Sequence, residues 1–141
     1  MFPALEPSDK LWNLIYFALD YGIDSVRRSG NTLITFLVVD SQERRSLIRF
    51  VAEDNETSVE QARQAAQALN PDSAYAIAFD AYLNVNGERT DTILVEAAEG
   101  EAAPLRVGQC YRPGAGRRAF ELLGNPVWLG HPRRDRRDAD L

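Results

Sequence analysis

The sequence predicts an α+β domain built on a single, mostly antiparallel five-stranded sheet. Three observations carry that expectation. Two segments repeat their apolar residues at helical spacing. Two pairs of segments rich in β-branched and aromatic residues are joined by short polar turns. Those turns are far shorter than the dozen or more residues a parallel crossover needs. The predicted order is helix, two strands, helix, three strands, with the helices packed on the sheet.

The chain has 141 residues, 45% of them apolar, which suits one domain with a core of its own. Residues 1–130 are read as that domain and 131–141 as a charged, flexible tail, because 132–140 contain only one alanine among their polar, charged and proline residues.

The first helix is expected over SDKLWNLIYFALDYG. Leu11, Leu14, Ile15, Ala18 and Leu19 form one stripe, Ser8 or Asp9 caps the start, and Gly22 ends it. Trp12 and Tyr16 widen the apolar face. NTLITFLVVD follows as a strand with both faces apolar, hence central. After the polar turn SQE, RRSLIRFVAED reads as its hairpin partner, nearer an edge because of its arginines. The second helix, TSVEQARQAAQALNP, opens on a Thr57–Glu60 capping box and stops at Pro71. Glu53, Asp54 and Glu56 suit its positive end.

AYAIAFDAYLNVNGERTDTILVEAAEG is a long hairpin whose register depends on the loop. A two-residue Asn86-Gly87 turn sets Ile93 opposite Asp80, which splits the apolar residues between faces. A three-residue loop, Val85-Asn86-Gly87, pairs Asn84 with Glu88 and brings Phe79 to Ile93 and Ile77 to Val95, so this register is predicted. Asp80 then lies on the outer face across from Thr92, Glu96 shares the outer parity, and Asp91 shares a face with Ile93 opposite Ala81. APLRVGQCYR is the fifth strand, with Leu105, Val107 and Tyr111 on one face. The first and fifth strands are expected to be neighbours. This element order is similar to that of profilin-like, roadblock-type and sensory PAS or GAF domains. The resemblance is one of order, without a family motif, and implies no function.

Charge and composition narrow the function. Residues 1–111 hold 9 basic and 17 acidic side chains, whereas 112–141 hold 7 basic and 4 acidic. An acidic body argues against nucleic-acid binding. One cysteine and one histidine exclude an internal disulfide and a Cys/His zinc site. The apolar run LIYFAL lies between Asp9 and Asp20 without a basic leader, so neither a signal peptide nor a membrane span is expected and a cytoplasmic location is.

GQCYRPGAGRRAF contains Gly114, Gly116 and Ala119 at the spacing of a dinucleotide fingerprint. That motif must open a long helix, yet AFELL meets Gly124-Asn125-Pro126 almost at once, so the segment is read as a bend. No cofactor and no metal are expected. Arg112, Arg117 and Arg118 are candidates to clamp a carboxylate or phosphate on a partner.

Cys110 and His131 lack any means of meeting for nucleophilic catalysis. Asp91, an acid on an apolar parity, has no second acid at a fixed distance. Trp12, Tyr16, Phe17, Phe36, Phe50, Phe79 and Trp128 are expected in the core. Val127, Trp128 and Leu129, in the aperiodic PVWLG, are expected to cover a sheet edge or face a second subunit. The leading expectation is therefore a non-catalytic protein–protein interaction module, a homodimer. The alternative is a small-molecule-binding, sensory-type domain with a pocket between the sheet and the first helix.

Overall fold

The computed structural model describes residues 7–42 and 44–131; the expected tail lies, apart from His131, outside the described residues. In chain order the elements are α1 (Asp9–Ser29), β1 (Phe36–Ser41), β2 (Arg44–Arg49), α2 (Asn55–Gln67), β3 (Ala74–Val85) and β4 (Glu88–Glu99). Then come β5 (Leu105–Arg112), β6 (Glu121–Leu122) and β7 (Val127–Gly130). The fold is α+β with an antiparallel sheet, but the second helix is followed by five strands rather than three.

Strands run in the order β2-β1-β3-β4-β5, and both β6 and β7 lie along the outer edge of β5. The first strand therefore neighbours β3, not the fifth strand. The reason lies in β3 and β4. Each is twelve residues long and is buried on both faces through its central stretch, Ala76–Phe79 in β3 and Thr92–Ala98 in β4, so the pair takes the middle of the sheet and pushes β5 outward.

The helices cover opposite faces. Leu14, Ile15, Ala18 and Leu19 of α1 pack on Phe36, Val38, Ala78, Ile93, Val95 and Val107. Val59, Ala62 and Ala66 of α2 pack on Leu37, Ile77, Phe79 and Leu94.

Ser8 caps α1, its Oγ accepting from the Leu11 N–H at 3.1 Å. Gly22 does not end the helix as expected. The apolar stripe continues to Val26, and the helix closes on Gly30 at φ 70°, with Arg27 and Arg28 in the last turn. Gly22 instead allows close approach, because a Cβ there would lie 3.1 Å from Ile93 Cγ2. α2 starts two residues before Thr57. Its cap is Asp54, which takes the Thr57 N–H at 2.7 Å, and that hydrogen bond holds the carboxyl below the usual carboxylate range.

The β3–β4 hairpin has the two-residue turn. Val85 pairs with Glu88, Asp80 with Ile93, Ala78 with Val95 and Tyr82 with Asp91. The turn residues Asn86 and Gly87 have φ of 52° and 84°, as a primed turn requires. The predicted three-residue loop assumed one apolar face. With a helix on each face, Ile77, Phe79 and Leu94 are buried under α2 while Ala78, Ile93 and Val95 are buried under α1. Burial therefore does not penalise the two-residue register.

Residues 112–120 form the expected bend. Ala115 and Arg118 exchange backbone hydrogen bonds of 3.0 and 2.9 Å around Gly116, at φ 57°, and the chain returns as β6 with no intervening helix. A dinucleotide fold would need a helix here.

Candidate functional site

Two features of the surface are candidates for function: an aromatic ridge ending at β7, and a carboxylate cluster on the same face of the sheet.

The ridge begins on α1. Trp12 and Tyr16 stand one turn apart and stack with ring centroids 6.0 Å apart. Trp128 meets Trp12 edge-on at 5.4 Å, because its pairing with Val107 turns the indole to the α1 face of the sheet. The expectation that Tyr16 and Trp128 belong to the core is corrected: they are 50% and 49% exposed, whereas Phe36 and Phe79 are buried. Val127 is 48% exposed, and Leu129 packs under the α2 face beside Gly108. β6 and β7 act as one interrupted edge strand along β5, held across the break by the Leu123 N–H to the Cys110 carbonyl (3.0 Å) and by Gln109 Nε2 to the Gly124 carbonyl (3.1 Å).

The register just described also brings Asp80 to the α1 face, not the outer face across from Thr92. Tyr111 donates its hydroxyl to Asp80 Oδ1 at 3.2 Å, and Asp91 sits diagonally across the strand pair. Burial, reinforced by the Asp91 charge, pushes Asp80 up to about 6 against the pull of the Tyr111 hydrogen bond. Burial and the Asp80 charge drive the Tyr111 phenol upward as well. Phe120 stacks on Tyr111 at 5.4 Å and Arg27 lies 5.2 Å over Phe120, closing this corner. The cluster was missed because it depends on the hairpin register.

A raised acid holds its proton more tightly folded than unfolded. Stability from Asp80 is therefore greatest below pH 4 and falls as pH rises towards 6. Asp80→Asn should flatten that stretch of a stability–pH curve. It should add about 1 kcal/mol at pH 7, the full shift being reduced by partial hydration. Thermal melts of both proteins from pH 4 to 8 check this, and equal slopes would contradict it.

On the other face lies a buried ion cluster that sequence reasoning did not foresee. Glu96, placed on the outer parity, is buried under α2. It accepts from Arg63 Nε and Nη2 at 3.1 and 3.0 Å and from Arg106 Nε at 3.0 Å. Desolvation, with the nearby Glu96 charge, pushes the Tyr75 phenol up to about 12. The available signal was one acid within the apolar run of β4.

The other candidates are dispersed. Arg112 pairs with Glu121 at 2.5 Å, Arg118 Nε donates to the Pro113 carbonyl at 3.2 Å, and Arg117 is exposed at the tip of the bend. These pairings favour a role in shaping the segment over an anion clamp. Cys110 is buried on the α2-facing side, 3.5 Å from Thr92 Oγ1, while His131 Nδ1 lies 2.7 Å from the Pro104 carbonyl; neither contacts the other. Among the described residues no group of three His, Cys, Asp or Glu side chains could hold a metal ion, and no helix is long and apolar enough to cross a membrane. No protein-family model matches the chain, and no curated protein or solved structure matches it significantly.

Proposed function

We propose that the chain is a non-catalytic interaction module that docks a protein partner on the ridge formed by Tyr16, Trp12 and Trp128. One observation carries this reading. Two of the three rings are about half exposed although all three touch in one continuous row, one pair stacked and the other edge-on. Tryptophan and tyrosine in contact at a surface supply large apolar area at low entropic cost, and such residues dominate binding energy at interfaces. The alternative, a small-molecule pocket between α1 and the sheet, is less well supported. Leu14, Ile15, Ala18 and Ile93 are fully buried there, and Gly22 leaves no room for even a methyl group without displacing Ile93.

Affinity capture from the native host, with wild type and Trp128→Asp as baits, tests the proposal. Proteins held by wild type should be lost from the variant, by roughly tenfold or more for a hot-spot residue. Circular dichroism of the variant confirms that the fold survives. Binding that is indifferent to Trp128 would count against the ridge.

A further inference from the structure

We infer that the partner seated at β7 is a second copy of this chain, joined edge to edge so that the two sheets become one. This rests on the interaction reading above and names its occupant.

The two edges of the sheet are built differently. β2, at one edge, exposes Arg44, Arg45 and Arg49, the charged guard by which sheets avoid adding strands. Along β7 the other edge has no such guard. Residues 122–130, LLGNPVWLG, contain no ionisable side chain, and among the described residues no strand pairs with the outer side of β7. Exposed Glu53, Asp54, Glu56 and Glu60 lie around the start of α2, on the face opposite the ridge. Two copies, each at net charge −5, can thus pair along β7 with no ionisable side chain of residues 122–130 on either strand.

The side-chain alternation of β7 is self-complementary. Trp128 points to the α1 face, and Val127 and Leu129 point to the α2 face. A two-fold axis normal to the sheet keeps like faces together and runs the two β7 strands antiparallel. Two registers within Val127–Gly130 satisfy this. One is centred on Leu129 and sets Trp128 opposite a glycine. The other is centred on Trp128, closing each half-exposed indole on its counterpart and setting Val127 opposite the counterpart of Leu129. The second buries more apolar surface and is the one assigned. It extends the ridge through the axis, so that Tyr16, Trp12 and Trp128 of one copy continue into the same three rings of the other.

The test uses the full chain in sedimentation at roughly 100 µM, where mass action favours association. Wild type should show the mass of two chains, Trp128→Asp the mass of one, and Val85→Asp, at the exposed hairpin tip, the mass of two. A second measurement does not depend on Trp128→Asp folding. In a Cys110→Ser background, Trp128→Cys places a thiol on the axis. Directly opposed residues have Cα atoms about 4.5–5.5 Å apart, within disulfide reach. Mild oxidation should give a reducible covalent dimer. A single-chain mass for wild type overturns the second-copy assignment, while Trp128-dependent capture of another protein would leave the interaction reading intact. A two-chain mass without cross-linking, or one unaffected by Trp128→Asp, overturns the β7 pairing.

Discussion

Glu96→Ala should cost about 3–5 kcal/mol of folding stability, the range for deleting one partner of a buried ion pair. Glu96 and Arg106 are 4% and 3% exposed and face each other across β4 and β5, while Arg63 reaches the same carboxylate from α2. One acid thus draws three elements together. Its removal takes away an acceptor shared by two guanidinium groups, one of them fully desolvated. The penalty comes from the charge left behind more than from the attraction lost. Glu96→Gln, which keeps the shape and one acceptor, should lose less. Urea denaturation read by tryptophan fluorescence distinguishes them. A shift of the Glu96→Ala midpoint corresponding to under about 1 kcal/mol would mean that the cluster contributes little.

Ile93→Ala should destabilise by about 2–5 kcal/mol, the range for truncating a buried aliphatic side chain. Ile93 is fully buried and is the residue on which α1 settles at Gly22. The two positions should also be coupled. Gly22→Ala alone pits about 1 kcal/mol of helix propensity against a methyl group 3.1 Å from Ile93 Cγ2. In the Ile93→Ala background that obstacle is gone, so Gly22→Ala should recover about 1 kcal/mol. A double-mutant cycle by denaturant unfolding reads the coupling, and strict additivity would show that the helix does not rest there.

The parts of the fold legible in the sequence were those fixed by local chemistry. Ser8 caps α1 because a hydroxyl there can satisfy a free N–H, and the β1–β2 hairpin follows from two dense strand segments around a polar turn. What escaped depended on the other side of the sheet. The β3–β4 register was misjudged because two helices bury both faces, a fact absent from any one segment. Asp80, Asp91 and Tyr111 consequently went unrecognised as neighbours. β6 and β7 were too short and irregular to declare themselves as strands, since their conformation comes from the β5 edge they lie on. Val127, Trp128 and Leu129 still stood out, because three consecutive apolar residues without periodicity have no obvious place in an interior.

The placement of β7 along β5 also bears on synthesis at the ribosome. Every other described strand precedes it in the chain, so the polypeptide can assemble the sheet through β5 before this final rim emerges. Nascent copies growing side by side on one messenger would expose the arginine-lined β2 border early and the neutral border late. In the proposed pairing, joining of two chains would thereby be deferred until each sheet is built through β5, which would limit tangling between half-made molecules.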